Sequence, residues 1–174
     1  MKTTHRETLT ANQDGIVQVL EAEHRALEDL LEQLAAEDDE AEAAELVKRI
    51  VRDLMAHSNA EDRVVYSIIE ENEEMAEDIE HARDEHAAIE EALTALAEAD
   101  PGDHDFKQKL EELSECVKHH VTEEENEILP KASSFIDEET AIELAFLFMK
   151  QKQHELETLE QTEPALSGEV SSHR

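Results

Sequence analysis

The chain has 174 residues, which is enough for one domain with a buried core, and its formal net charge is −32 because 47 acidic residues outnumber 15 Lys and Arg. A surface this negative repels nucleic-acid phosphates and anionic membranes, so we expect neither as a partner. With only 3 Gly and 3 Pro, and with Ala, Leu and Glu abundant, the composition favours an all-α fold.

Hydrophobic periodicity and helix-breaking residues predict five helices. Their approximate spans are residues 14–36, 40–72, 74–99, 103 to beyond 130, and 137–160. Asp14 is a candidate N-cap of the first helix, and the breaker Asp100-Pro101-Gly102 separates the third helix from the fourth.

The first two helices resemble the next two in sequence. The segment Glu23–Glu28 matches Glu85–Glu90 at an offset of 62 residues (86 − 24), and His57–Asp62 matches His120–Glu125 at an offset of 63 (120 − 57). Two helical hairpins related in this way predict an antiparallel up-and-down four-helix bundle. The repeated features include histidines and carboxylates, which packing alone does not require.

The repeat divides the chain into four expected parts. An N-terminal segment covers residues 1–13, the four-helix bundle covers 14–136, and an additional C-terminal helix covers 137–162. Residues 163–174 are expected to form a flexible tail. In the C-terminal helix, the apolar run Phe146–Met149 predicts either a lid over the bundle or a contact with a second copy or a partner protein.

Each of the first four helices carries a histidine on the apolar stripe that faces the bundle interior. The stripe of the fourth helix consists of Phe106, Leu110, Leu113, Val117, His120, Glu124 and Ile128. The stripe of the second helix consists of Val47, Ile50, Leu54, His57, Glu61, Val65 and Ile68. His24 lies on the stripe of the first helix and His86 on that of the third. Six polar residues are therefore predicted to point inward.

A metal site explains these inward polar residues. A carboxylate in an apolar interior costs several kcal/mol unless it is compensated. The spacing of His57 with Glu61, and of His120 with Glu124, places each pair on one helix face. Imidazole and carboxylate without thiolate suit iron, manganese or zinc. A lone buried histidine would be an ordinary core residue, but six polar residues at matched depth favour a metal site.

Other titratable residues fit the stripe less well. His119 and His81 are expected on solvated faces, and Glu123 and Glu125 point about 100° away from Glu124.

Three further residues have open roles in the sequence. His154 on the fifth helix is an alternative fifth imidazole ligand. Tyr66 either donates a hydrogen bond to the site or simply packs there. Cys116, the single cysteine, is expected to be a small buried apolar residue, and it excludes an intrachain disulfide.

The combined pattern resembles the hemerythrin-like (HHE cation-binding) domain family from about Ile16 to Pro130. It consists of a lone His24, His57-x-x-x-Glu61, a lone His86 and His120-x-x-x-Glu124, followed by Glu-Asn-Glu-Ile-Leu-Pro. The resemblance implies two non-haem iron ions with Glu61 and Glu124 bridging them. If each iron takes about six positions, the six ligands leave room for an additional oxo or hydroxo bridge. Zinc and manganese are the alternative metals.

The resemblance also implies several functions. Oxygen-carrying members have a second ligating histidine on helix three and an aspartate on helix four, whereas Ala82 and Glu90 flank His86 here. No cysteine-bearing N-terminal segment like that of many iron–sulfur repair proteins is present. We expect a di-iron protein that binds or senses O2 or NO, or handles iron. The alternatives are a di-iron enzyme acting on peroxide or in iron–sulfur cluster repair, and a metal-free acidic interaction protein.

The location of the protein is predicted from what its sequence lacks. Neither a signal-peptide pattern nor an apolar run of about 20 residues is present, so a cytoplasmic protein is expected. The acidity indicates a salt-rich, halophilic cytoplasm, with an ordinary acidic protein as the alternative.

Overall fold

Five helices make up most of the computed structural model, which describes residues 15–162. They are α1 (Ile16–Ala36), α2 (Glu40–Ala60), α3 (Ala76–Ala97), α4 (Phe106–Glu123) and α5 (Glu138–Thr162). The expected all-α fold with an added C-terminal helix is confirmed. The candidate cap Asp14, the segment 1–13 and the tail 163–174 lie outside the described residues.

Helices α2 and α4 continue past these bounds through wider turns. Glu61–Tyr66, which we call the α2 π-segment, is π-helical and is followed by the helical residues Ser67–Ile69. Glu124–Ile128, which we call the α4 π-segment, is also π-helical and leads into Leu129–Ala132. Both hairpins of the repeat therefore contain the same local departure from a regular α-helix.

Helix capping fixes the turn between α1 and α2. The Asp39 side chain accepts hydrogen bonds from the backbone N–H groups of Ala41 and Glu42, each at 3.0 Å. These bonds satisfy two of the N–H groups that a helix start leaves unpaired. Glu40 and Glu42 place negative charge in the first turn, where the helix dipole favours it.

The first four helices form a closed ring. Helix α1 contacts α2, α2 contacts α3, α3 contacts α4, and α4 contacts α1. With short connections, this order gives the up-and-down bundle expected from the repeat. Helix α5 packs along α1 and α2 on the outside of the ring.

Two apolar clusters fill the bundle. One includes Leu34, Leu54, Leu96 and Leu113, and the other includes Leu20, Ile79, Leu129 and Phe148. Burying each large side chain contributes about 1.5–3 kcal/mol. Along every helix of the ring, the polar residues of the stripe lie between the members of these two clusters.

The α2 π-segment changes the register of the residues that follow it. Ile69 is 4% exposed, whereas Ile68 is 41% exposed. The prediction that Ile68 faces the core is therefore wrong. Steps of three and four residues assume regular α-helical turns, while the π-helical turn takes up one additional residue.

Helix α5 combines a buried face with an exposed one. Leu144, Ala145 and Phe148 are buried against the bundle, while Phe146 and Met149 are 67% and 52% exposed. The buried face agrees with the lid alternative, and association through the exposed face stays a prediction. In the described part of the chain, the helices all fall short of the length and apolar character needed to cross a membrane.

Candidate metal centre

A layer of polar side chains crosses the bundle between the two apolar clusters. Helices α1 and α3 each supply one histidine, while α2 and α4 each supply a histidine in the last turn and a glutamate at the start of the π-segment. All six predicted residues meet here: His24, His57, Glu61, His86, His120 and Glu124. Five of them are at most 3% exposed, and the side chain of His86 is 11% exposed.

Glu61 lies at the centre of this layer. Its Oε2 atom is 3.5 Å from His57 Nε2, 3.4 Å from His86 Nε2 and 4.0 Å from His120 Nε2. His24, His57 and Glu61 form one group with ligand atoms within 4.8 Å of one another, and Glu61, His86 and His120 form a second such group. Each group could hold a metal ion, and Glu61 belongs to both.

Glu124 also touches both groups. Its Oε2 atom is 3.1 Å from His24 Nε2 and 3.9 Å from His120 Nε2. On the other side of the layer, His86 Nε2 and His120 Nε2 are 3.0 Å apart. Each glutamate, one from each half of the repeat, therefore lies near histidines of both groups.

Several of the converging atoms have no hydrogen-bond partner. They are His24 Nε2, both ring nitrogens of His57, both carboxylate oxygens of Glu61, and Glu124 Oε2. Buried polar atoms in proteins are nearly always paired, because leaving one unpaired costs about 1–3 kcal/mol. Nitrogen and oxygen lone pairs that converge without partners match the needs of a cation, so these residues fit a metal site.

Outer carboxylates hold two of the imidazoles in place. Glu125 Oε1 is 2.8 Å from His24 Nδ1, and Glu85 Oε2 is 2.9 Å from His120 Nδ1. Each bond fixes its ring so that Nε2 faces the centre. Around His57 the contact is looser, because Glu23 Oε2 lies 3.8 Å from Nδ1, beyond direct hydrogen-bonding distance.

These three carboxylate contacts were not predicted: Glu125 was expected only to point away from Glu124, and neither Glu23 nor Glu85 was assigned a role. The repeat contained the signal, because Glu23 precedes His24 as Glu85 precedes His86. In the structure each of these glutamates approaches the histidine of the following helix. Equivalent positions in the two halves thus have equivalent contacts.

Tyr66 connects the two sides of the layer. Its hydroxyl donates a hydrogen bond to Glu124 Oε1 at 2.9 Å, and its ring stacks on that of His86 with centroids 5.5 Å apart. Of the two roles open to Tyr66, the structure therefore shows the hydrogen bond. Burial, and then the negative charges of Glu61 and Glu124, raise the pKa of Tyr66 well above its usual value, so the hydroxyl remains a donor.

The electrostatics of the layer favour positive charge. Burial lowers the pKa of His24, but the Glu124 carboxylate, 3.1 Å from Nε2, and the charge of Glu61 outweigh burial and raise that pKa to about 9. Burial also lowers the pKa of His120, but the nearby carboxylate of Glu61 and the hydrogen bond to Glu85 outweigh burial and raise that pKa to about 10. Burial would raise the pKa of Glu61, yet the nearby imidazoles, His57 first, hold it well below the usual value.

Helix α5 contributes contacts to this layer, but no imidazole. His154 is exposed, so the structure does not bring it to the centre as a fifth ligand. Instead, the Phe148 ring meets the His57 ring edge to face, with centroids 5.6 Å apart. Lys152 forms an ion pair with Glu23, the carboxylate next to His57. Helix α5 thereby covers the α1–α2 side of the layer.

The opposite side of the layer adjoins a cavity. It has a volume of about 230 Å³ and lies between α2 and α3. His86 lines it together with apolar residues, including Leu54, Ile89 and Leu93, and polar residues, including Asn59 and Arg83. His86 is the least buried of the four inward histidines, so the cavity adjoins the layer at its most accessible imidazole.

Comparison with known proteins identifies relatives of this chain. The family model of the hemerythrin HHE cation binding domain matches residues 15–132. An uncharacterized hemerythrin-like protein of Schizosaccharomyces pombe is 29% identical over 135 residues, which cover 75% of this chain and 65% of that protein. A DNA nickase of Nostoc sp. is 26% identical over 112 residues, which cover 64% of this chain and 32% of the nickase. No solved structure matches.

Proposed function

Because the chain belongs to the hemerythrin HHE cation-binding domain family, whose model covers residues 15–132, we propose that it binds two non-haem iron ions in the polar layer. The proposed ligands are His24, His57, Glu61, His86, His120 and Glu124. The convergence of their unpaired ligand atoms is the observation that supports this assignment. Glu61 and Glu124 are the proposed bridging residues, because each lies near histidines of both groups.

The proposed function is reversible binding or sensing of a diatomic gas, O2 or NO. Iron supplies affinity for such molecules when it is bound. The chain's own residues supply a buried set of ligands, and the cavity beside His86 supplies a route toward it. A volume of about 230 Å³, partly lined by Leu54, Ile89 and Leu93, suits a small uncharged ligand. Tyr66 holds Glu124 Oε1 on the same side, so that this carboxylate keeps its orientation.

The alternative functions have less support. A metal-free interaction protein would leave several buried polar atoms of the layer unpaired. Turnover of peroxide and transfer of iron to iron–sulfur clusters would use the same proposed centre, and activity assays separate these reactions from gas binding.

DNA cleavage, the activity in the name of one relative, is not part of the proposal. This chain spans 32% of that protein, and its net charge of −32 repels phosphate.

Metal analysis tests the di-iron assignment. After reconstitution with ferrous iron, oxidation in air and removal of excess metal, we expect close to two irons per chain, near-ultraviolet absorption from the ferric pair, and no haem Soret band. Glu61→Ala and Glu124→Ala should each lose iron. The matched control is Glu127→Ala, which removes an exposed glutamate from the same π-segment as Glu124. A single tightly bound zinc without a second metal would refute the assignment.

Gas titration tests the proposed activity separately. Iron-loaded protein in its ferrous form is exposed to O2, or to NO under anaerobic conditions, and the absorption bands are followed before and after the gas is removed. Bands that change and then recover support reversible binding. Rapid consumption of peroxide, or delivery of iron to an apo-cluster acceptor, would instead favour the enzyme alternative.

A further inference from the structure

A second cluster of histidines and glutamates lies on the outside of the bundle, where α3 packs against α4. His81 and Glu85 are four residues apart on α3, and His119 and Glu123 are four residues apart on α4. Residues at this spacing lie on one face of a helix, so each helix presents one imidazole and one carboxylate. The side chains of both histidines are exposed, at 59% and 62%, so the cluster is open to solvent.

Ligand atoms of His81, Glu85 and Glu123 lie within 4.8 Å of one another, and His119 adjoins the two carboxylates. His81 Nε2 is 3.7 Å from Glu85 Oε1 and 3.2 Å from Glu123 Oε2. His119 Nε2 is 3.2 Å from Glu85 Oε1 and 3.3 Å from Glu123 Oε1. Ligands bound to one tetrahedral zinc at about 2.0–2.1 Å are separated by roughly 3.4 Å. The four distances between imidazole nitrogens and carboxylate oxygens, 3.2–3.7 Å, are close to this value.

Glu85 provides an independent indication of a ligand. It is only 9% exposed, and its Oε1 atom is buried without a hydrogen-bond partner, although both imidazoles stand nearby. The other oxygen, Oε2, is already used by His120 Nδ1 at 2.9 Å. Oε1 is therefore a nearly buried carboxylate oxygen that faces both imidazoles of the surface cluster without a hydrogen bond to either.

We propose that His81, Glu85, His119 and Glu123 bind a divalent cation of the zinc type, at a third metal site distinct from the buried layer. Two imidazole nitrogens and two carboxylate oxygens form a donor set that tetrahedral zinc accepts. The strongly negative chain also raises the local concentration of divalent cations. None of these four residues is among the six assigned to the iron pair.

Glu85 connects the surface site with the buried layer. Zinc bound at Oε1 withdraws negative charge from the carboxylate, and this weakens the bond that Oε2 accepts from His120 Nδ1. Zinc bound at the surface would therefore change the hydrogen bonding of His120, which is a ligand of the proposed iron pair. This coupling rests on the proposed function, whereas zinc binding itself does not.

Counting zinc in matched variants tests the site. Iron-loaded wild-type protein, the double variant His81→Ala/His119→Ala, and Glu123→Gln are equilibrated with zinc chloride, dialysed and analysed for both metals. The matched control is His104→Ala/His154→Ala, which removes two exposed imidazoles elsewhere. We expect wild type and control to hold one zinc more than the other two proteins, with equal iron in all four.

The outcomes separate the two proposals. If His81→Ala/His119→Ala or Glu123→Gln retains as much zinc as wild type, the four side chains are ordinary ion pairs and the surface site is refuted. If iron fails to load, the same zinc difference is measured in the metal-free proteins, so failure of the iron proposal leaves the zinc test intact. For the coupling, zinc should shift the iron absorption bands of wild type but not of the double histidine variant. Unchanged wild-type bands would refute the coupling.

Discussion

At the scale of single residues, the side chains behind the imidazoles decide how rigid the layer is. Arg25 donates to both oxygens of Glu125 at 2.5 Å, and Glu125 in turn holds His24 Nδ1 at 2.8 Å. A carboxylate behind a ligating imidazole fixes the ring orientation and increases its basicity. The expectation that Glu125 merely points away from the site is therefore incomplete, because Glu125 orients the imidazole of His24 from outside the polar layer.

Glu125→Ala should weaken metal binding by about 10–100-fold, because His24 loses the group that orients its ring. Glu125→Gln keeps an oxygen that can accept from Nδ1 and should retain most of the affinity. Competition against a chelator of known affinity measures the change, with Glu127→Ala as the control for lost surface charge. Equal affinities for wild type and Glu125→Ala would mean that Glu125 contributes only to the surface.

Tyr66→Phe should destabilise the metal-free protein by about 1–3 kcal/mol, because Glu124 Oε1 is left buried without its donor. The substitution keeps the aromatic ring that stacks on His86, so packing changes little. Urea denaturation of metal-free wild type and variant measures the difference. Tyr66→Leu, which also removes the ring, serves as the comparison and should cost more. An unchanged midpoint for Tyr66→Phe would show that Glu124 does not depend on this bond.

The six inward residues were predictable because each lies on a helix stripe whose members are spaced by three or four residues. Tyr66 was less predictable, because it is five residues after Glu61 and an α-helix would turn it away. Glu23 and Glu85 act across helices, and only their equivalent positions in the repeat indicated a shared role. Contacts between helices depend on packing distances that a single sequence does not contain.

At the scale of helices, the two π-segments are the main departure from regular geometry. Both begin at a glutamate of the layer, Glu61 in one hairpin and Glu124 in the other. Isolated π-helical turns are uncommon and occur often at functional sites. In the α2 π-segment, the wider turn brings Tyr66 onto the buried face and moves Ile68 out of it. The sequence gives no composition signal for such a turn, so the register after Glu61 could not be predicted.

Deleting Arg63 tests the register argument. Its side chain is 64% exposed within the α2 π-segment, so its loss should convert the wide turn into an ordinary α-helical one. Tyr66 would then follow Glu61 by four residues and stay on the same face. We expect iron content to be retained, with a small decrease in melting temperature.

The matched control deletes Arg49 from the regular part of α2, where the side chain is 56% exposed. There the loss of one residue turns the following helix by about 100°, which should move His57 and Glu61 off the inner face. Circular-dichroism melting and iron analysis measure both variants. Equal damage from the two deletions would show that the α2 π-segment does not absorb an extra residue.

At the scale of the whole molecule, the bundle was predictable and the placement of α5 was not. The repeat and the short connections favour one ring order, and the structure has it. The apolar run of α5 has large side chains on more than one face, so sequence periodicity left its packing open. The structure buries Phe148 against His57 and exposes Phe146. The molecule thus covers one side of the layer with α5 and leaves the other beside a cavity.

The net charge leads to a prediction about salt. Folding brings a chain of formal charge −32 into a small volume, and the resulting self-repulsion opposes the compact state. The Debye length falls from about 10 Å at 0.1 M salt to about 3 Å at 1 M, so repulsion between surface acids is screened as KCl is added. Iron should stabilise in addition, because it binds only the folded protein and offsets the buried carboxylates Glu61 and Glu124.

We therefore expect metal-free protein at low salt to be the least stable form, with molar KCl and iron each raising the melting temperature. Thermal melts between about 0.1 and 2 M KCl, with and without iron, measure the two increments separately. As a control, the KCl increment should shrink as the pH approaches the isoelectric point near 4.4, because repulsion vanishes there, whereas a nonspecific salting-out effect would persist. An unchanged melting temperature at neutral pH would refute adaptation to a salt-rich cytoplasm. It would leave the metal proposal intact, because that proposal depends on buried residues rather than on the surface.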